Sequence, residues 1–218
     1  GSVSVIGAVS PSGGDFSEPV TQNTLRIVQV FWALDTELKN KRHFPAINWL
    51  KSYSLYLDQV KHWWHENVHE KWHELRRETM RLLEKESELQ EIVQLVGPDA
   101  LPPSDQFALQ AARIIREDFL QQNAFHDVDT YCSPEKQFRM LQTMMEYYDI
   151  GSDLVDEGTS VDKLQQMDIV EKLSRMSNIP SDDYDERFDE IEMEMNKEFE
   201  EMGEDVSTEK IESVEEEG

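Results

Sequence analysis

The chain has 218 residues, of which 38% are hydrophobic and 31% charged, and its 21 Lys plus Arg face 46 Asp plus Glu for a net charge of −25. That balance argues against nucleic-acid binding, which needs a basic footprint for phosphates, and against attraction to anionic lipid. The length suits one domain or one and a half. Cys132 is the single cysteine, which excludes an internal disulfide and suits a reducing compartment. No apolar run approaches the roughly 18 residues that a membrane span needs, so no direct membrane insertion is expected, and no signal peptide is recognisable.

Val3 to Val9 is a β-branched run and reads as a buried strand. A chain that opens inside a strand looks like a piece of something longer. Ser10 to Asp15 is a loop by its turn chemistry. Leu25 to Trp32 reads as a second strand, and Asp35 to His43 as a short helical turn. Pro45 biases Phe44 towards an extended conformation. Asn48 to Tyr56 reads as a packed loop.

From Leu57 the period becomes helical. Val60, Trp64, Val68, Trp72 and Leu75 recur at three- and four-residue spacing, and Leu82, Leu83 and Leu89 continue it, as one helix or as two with a break near Asn67. Gly97-Pro98 stops the run, and Ser104 is the expected N-cap of the next helix, with Asp105 in its first turn. Phe107, Ala111, Ile114, Ile115 and Phe119 mark its apolar face. After a turn, Ser133 caps and Pro134 takes the first position of a helix carrying Phe138, Leu141, Met144, Met145 and Tyr148 inward. Gly158-Thr159-Ser160 then separates a last helix with Leu164, Leu173 and Met176 inward.

The charge is uneven. Residues 181–218 hold 18 acidic and three basic side chains, a net −15 that leaves −10 for the rest. Phe188, Ile191, Met195 and Phe199 keep a helical spacing there, so a frayed, solvated helix is expected, with disorder from about Glu204 and little contribution to stability. The predicted fold is mainly α: a short strand-containing end of a nucleotide-binding α/β domain (residues 1–56), a C-terminal helical bundle (57–180) and an acidic, partly disordered tail (181–218).

Three motifs invite chemistry. His65-Glu66-Asn67-Val68-His69 matches the zinc pattern H-E-x-x-H, and His69 to His73 overlaps it in the same pattern. No third ligand is identifiable, and a solvated polar face explains the imidazoles as well. Cys132 lies near His126, but a small buried thiol at a helix start needs no base. No Gly-x-x-x-x-Gly-Lys-Ser/Thr phosphate loop occurs. No catalytic or metal-ligating residue is therefore assigned. Two aromatics stand where the regular patterns break: Phe44 before Pro45, and Phe125 beside Gln121 and Asn123. They form either a slot for a flat ring or ordinary core packing.

The blocks GAVSPSGGDFSEPVTQNTLRIVQVFWALD, RHFPAINWLKSYSLY, LQEIVQLVGPDAL and FLQQNAFHDVDTYCSPEKQF, in that order, resemble the catalytic A subunit of archaeal-type and vacuolar-type rotary ATPases. The resemblance runs from Gly1 to about Met176 and covers only the C-terminal part of that family's chain. It implies a part of an ATP synthase/ATPase that couples ATP synthesis or hydrolysis to proton or sodium transport. ATP or ADP with Mg2+ would be bound, with the phosphate and magnesium ligands outside this sequence, so the stretch alone should be inactive. It also implies a ring pocket: Phe44 and Pro45 match the aromatic-Pro-Ala step that holds one face of adenine, and Phe125 matches the aromatic that closes the other. Gln121, Gln122, Asn123 and Ala124 would line the rim. The implied partners are non-catalytic B subunits in an alternating hexameric ring, and central-stalk rotor subunits near the loop Gly97–Asp105. The implied location is peripheral, on the cytoplasmic face of the cell membrane. A non-catalytic helical interaction module with an acidic tail is the alternative.

Overall fold

The computed structural model describes residue 1 and residues 3–216, with side chains for all of these except 12 and 204–216. The chain is mainly helical. The expected strand over Val3–Val9 does not form, and Val3, Val5 and Ile6 stand exposed. A strand needs a ladder partner for its backbone groups, and none is present among the described residues. The apolar run from Leu25 divides. Pro19, at the first helical position, starts helix α1 (Pro19–Ile27), and only Val30–Phe31 is extended, as strand β1.

Asp35 caps the short helix α2 (Thr36–Asn40) by accepting from the Glu37 and Leu38 amides at 2.8 and 3.4 Å. Its other carboxylate oxygen accepts from Asn48 Nδ2 at 2.8 Å, and that bond above all holds the Asp35 carboxyl below its ordinary range. The stretch expected as a packed loop contains strand β2 (Tyr53–Ser54). It runs antiparallel to β1, with Val30 opposite Ser54 and Phe31 opposite Tyr53. This two-stranded sheet gains aromatic contact: the Phe31 ring lies 5.7 Å from Tyr53 and 5.9 Å from Phe16.

The long helical pattern is two helices, α3 (Leu57–Asn67) and α4 (Trp72–Val96). Val68 has non-helical dihedrals, and the indoles of Trp64 and Trp72 stack across the break at 4.2 Å. Gly97 ends α4 at φ 83°, a conformation that favours glycine. Helix α5 (Pro103–Ile114) is capped by Pro102 with Pro103 first inside, so the expected Ser104 cap is displaced by two residues. Asp105 does sit in its first turn and pairs with Lys85 at 2.8 Å. Ile115–Phe119 continues as a π-turn. Helix α6 (Pro134–Asp156) begins as its sequence signals, with the Ser133 hydroxyl accepting from the Lys136 amide at 3.2 Å. The helix expected after Ser160 is broken at Met167 into α7 (Val161–Gln165) and α8 (Asp168–Ser174).

Helix α5 is the centre of the bundle, with α4 on one side and α6 on the other. Its small residues Ala108, Ala111 and Ala112 are buried and let the neighbours approach closely. The Phe107 ring fits against Gly151 of α6, where an added Cβ would lie 2.3 Å from the ring. A side chain at 151 would therefore expel Phe107 from its site.

The acidic C-terminal segment forms α9 (Tyr184–Glu216), and this helix docks. Phe188, Ile191, Met195 and Phe199 are all buried against the bundle, which corrects the expectation of a solvated helix. The expected disorder from about Glu204 falls on residues whose side chains lie outside those described. Arg139 of α6 meets Asp189 at 2.9 Å, Glu192 at 3.0 Å and Asp185 at 3.4 Å, and Lys172 pairs with Glu194. The Ile169 amide at the start of α8 donates to Glu198 at 3.3 Å. Self-repulsion is thus relieved on the docked face, and the apolar seam supplies the binding energy. Phe188→Ala should destabilise the chain by about 3–5 kcal/mol in urea unfolding, the cost of emptying a buried aromatic site. Removing residues 181–218 should lower the thermal midpoint by many degrees rather than leave it unchanged.

Candidate functional site

The segment around Phe44 is built from the sheet and α2. The His43 amide donates to Leu38 O at 2.9 Å, and the Asp35 amide to Ala46 O at 2.9 Å, so both flanks of Phe44 are tied to one frame. His43 is buried, with its ring 5.5 Å from Trp49. Burial, with the nearby Arg116 charge second, holds the imidazole below its ordinary pKa. The Phe44–Pro45 peptide is cis, and the Phe44 ring is 50% exposed.

The loop after α5 is built from its own polar side chains. Leu120 N–H bonds Ile115 O at 2.9 Å and closes the π-turn. The Gln122 carboxamide donates to Asp129 O at 2.7 Å, and the Asn123 amide to Asp129 Oδ2 at 2.5 Å. Asn123 Oδ1 accepts from the Phe125 amide at 3.0 Å, and the Thr130 hydroxyl donates to Ala124 O at 3.0 Å. His126 Nδ1 receives the amides of Val128 and Asp129, each at 3.2 Å. The backbone is braced while the Phe125 ring is left 98% exposed.

One bond joins the two halves: Gln122 N–H donates to Phe44 O at 2.8 Å. The structure therefore brings Phe44, Pro45 and Gln122 together at the backbone, with Asn123, Ala124 and Phe125 following along the same loop. Among the described residues it places no ring contact between Phe44 and Phe125. Gln121 and Asn123 are exposed at the rim, whereas the Gln122 side chain is engaged inside the loop.

Sequence reasoning missed the residues behind this junction. Arg116 in the π-turn is bonded to buried Glu86 of α4, and its second nitrogen reaches Glu117 at 3.2 Å. Gln90 also donates to Glu86, at 2.8 Å. Burial pushes the Glu117 carboxyl up, but bonds from Arg113 and Arg116 outweigh it and leave the group below its ordinary range. At Asp118 only the Arg113 charge acts downward, and it is outweighed. Burial, helped by the Glu117 charge, raises it to about 6. The available signal was the mixed-charge run Arg113–Asp118 on an otherwise apolar helix, which names no partner by itself.

The other motifs resolve differently. Helix α3 ends at Asn67, so His65 and His69 do not share a helix face. His69 stacks on Phe138 at 4.3 Å, and its Nδ1 accepts from the Lys71 amide at 3.1 Å. His62 pairs with Glu66 at 3.1 Å. The Cys132 thiol is half-buried and pushed up by burial, the opposite of an activated nucleophile. At the far end of the α4–α5 hairpin, the loop Gly97–Asp105 follows an apolar ridge of Ile92, Leu95 and Val96 that stands in solvent, Leu95 at 86% exposure. No helix among the described residues is long and apolar enough to cross a membrane.

Asp118 gives a pH test. Its folded pKa lies above the unfolded carboxylate value, so the folded state binds the extra proton between about pH 4 and 6. That contribution is full below the unfolded pKa and is lost as pH rises through about 6. Asp118→Asn should flatten this slope and stabilise the protein at pH 7 by about 1 kcal/mol, after discounting for a partly exposed group. Urea unfolding at several pH values measures both.

Comparison with known proteins fits this layout. The family described as the C-terminal domain of V and A type ATP synthase matches residues 61–165. The ATP synthase alpha/beta family, nucleotide-binding domain, matches residues 1–54. The A subunit of the A-type ATP synthase of Methanopyrus kandleri is 59% identical over 207 residues, 95% of this chain and 35% of the relative. That of Methanosphaera stadtmanae is 54% identical over 202 residues, 93% of this chain and 34% of the relative. The chain thus spans about a third of the length of the curated relatives it matches. A solved structure, the ATP synthase subunit NeqB from Nanoarcheaum equitans, shares the fold at TM-score 0.52 and 24% identity, over 62% of this chain and 33% of that one. With two matching domain profiles in order and these identities across nearly its whole length, the chain belongs to the A-subunit family of V/A-type ATP synthases and carries its C-terminal domain.

Proposed function

We propose that this chain serves, within a complete catalytic A subunit, as the adenine-side wall of the nucleotide pocket and as the helical lever that faces the rotor. Residues 1–56 close the nucleotide-binding domain, 57–180 form the helical domain, and 181–218 extend it. The complete enzyme couples ATP synthesis or hydrolysis to the transport of protons or sodium ions. The Gln122–Phe44 backbone bond carries the reading, because it joins the segment bearing exposed Phe44 to the loop bearing exposed Phe125.

Adenine is flat and uncharged, so aromatic faces suit it. Phe44 and Pro45 hold one face, Phe125 the other, and Gln121, Gln122, Asn123 and Ala124 line the rim. Mg2+ and the phosphates of ATP or ADP find no Gly-x-x-x-x-Gly-Lys-Ser/Thr cradle in this sequence, so their ligands and the chemistry belong to residues outside it. The ring wall supplies position more than affinity.

The α4–α5 hairpin packs along its length and ends at the loop Gly97–Asp105, so a swing of the pair as one body would carry its tip. Its apolar tip suits a rotor subunit of the central stalk. Non-catalytic B subunits alternate with the catalytic ones in a hexameric ring, held peripherally at the cytoplasmic face of the membrane.

In the assembled enzyme carrying this sequence, Phe44→Ala and Phe125→Ala should each raise the Michaelis constant for ATP with little change in turnover. The ring is remote from the reacting phosphates, so its contacts are nearly equal in ground and transition states. Each loss should amount to about 1–3 kcal/mol, and tyrosine or tryptophan at either position should be mild. Steady-state kinetics beside thermal melts measures this; an unchanged Michaelis constant in both alanine variants would end the reading.

A further inference from the structure

We infer that Arg116, anchored on Glu86, is a positioning residue that fixes the Phe44–Gln122 junction to helix α4, so that the tilt of the helical domain is read directly at the ring pocket. The inference rests on the pocket reading above and assigns it a mechanical link.

Three observations carry it. First, the junction itself is slight. A single backbone bond, Gln122 N to Phe44 O, joins the loop to the Phe44 segment. Such a bond contributes only about 1 kcal/mol net, so it survives only if both sides are held in place from behind.

Second, the helix before the loop is not α-helical where it meets that junction. Ile115–Phe119 forms a π-turn, closed by Leu120 N to Ile115 O at 2.9 Å. A π-turn inserts one residue into the helical repeat and rotates everything after it. The loop from Leu120 is therefore aimed by that turn. Arg116 lies inside that turn and bonds it to α4.

Third, Arg116 ties the π-turn to α4. Its guanidinium is bonded to Glu86 of α4, a buried carboxylate that also accepts from Gln90. Burial first, and the Arg116 charge second, hold the His43 imidazole below its ordinary pKa. His43 is buried against Trp49 and immediately precedes Phe44. Arg116 thus joins α4 to the π-turn that leads into the loop bonded to Phe44. The planar guanidinium fork suits this because it fixes direction as well as charge. A buried ion pair often adds little net stability but does specify geometry.

The alternative is that the pair only stabilises the bundle. Amide hydrogen exchange and steady-state kinetics separate the two. In this chain, Arg116→Gln should speed exchange at the Gln122 amide by about tenfold while leaving the α6–α9 amides unchanged, as local opening does. In the assembled enzyme it should raise the Michaelis constant for ATP by about five- to twentyfold, with turnover within about twofold. Arg116→Lys, which keeps the charge but not the fork, should fall between wild type and Arg116→Gln in both measurements. Glu86→Gln keeps shape and an acceptor oxygen, and it carries the test if Arg116→Gln fails to fold. Unchanged exchange at Gln122 overturns the inference. So does an unchanged Michaelis constant in an enzyme whose Phe44→Ala variant has a raised one. If Phe44→Ala itself changes nothing, the pocket reading fails, and exchange at Gln122 alone decides whether Arg116 holds the junction.

Discussion

The backbone hydrogen bond from Gln122 to Phe44 is the constraint on which the site depends. It links a segment framed by two short strands and α2 to a loop framed by α5 and α6. Its net worth is about 1 kcal/mol, far below the entropy of ordering two loops, so it reports a geometry that the surrounding frames impose. On one side, the frame is the Asp35 cap, the Ala46 and Leu38 carbonyl bonds and the buried His43 ring on Trp49. On the other, it is Asp129 and His126, which absorb the loop's amides from within.

Behind these frames stands a bundle whose centre is an alanine-rich helix. Ala108, Ala111 and Ala112 allow α4 and α6 to pack closely on α5, and Phe107 fills the notch over Gly151. Helix α9 then covers α6 and α8. Its acidic side chains would forbid docking if the receiving surface were also acidic. Arg139 and Lys172 supply the opposite sign there, but such part-exposed pairs contribute little each. Phe188, Ile191, Met195 and Phe199 contribute the larger share, and the ions select the face on which they land.

Much of this was legible in the sequence, and the failures have physical causes. The Ser133-Pro134 helix start and the Gly97 stop are local chemistry, and both form where the residues place them. The break near Asn67 lay within the reading, although the Trp64–Trp72 stack that braces it did not. Leu25 to Trp32 failed because a short apolar run fits a helix as well as a strand, and Pro19 tips it to a helix as far as Ile27. The run from Val3 lacks a ladder partner, which no local pattern reports. For α9 the apolar spacing was visible, but composition outweighed it, since its cationic partners lie on other helices. In the candidate site, Phe44, Phe125 and the polar rim were legible as breaks in pattern. The π-turn was not, and neither was the bond that ties it to α4, between Arg116 and Glu86, thirty residues apart in sequence.

The exposure of Phe125 sharpens the contrast between folding and function. Burying a phenyl ring gains about 1.5–3 kcal/mol, and Phe107 and Phe188 collect that gain in full. Phe125 collects almost none of it, at 98% exposure, although its own amide is bonded to Asn123 Oδ1. Asn123, His126, Asp129 and Thr130 brace the backbone beneath that ring, so the local polar network, not the core, shapes the loop. Phe44, half exposed on the other side of the shared hydrogen bond, is in the same position. The stability of the chain gains little from either ring, so the energy of covering them remains available to whatever binds between or against them. That separation leaves both rings outside the energetics of the core, which rests on fully buried rings such as Phe107 and Phe188.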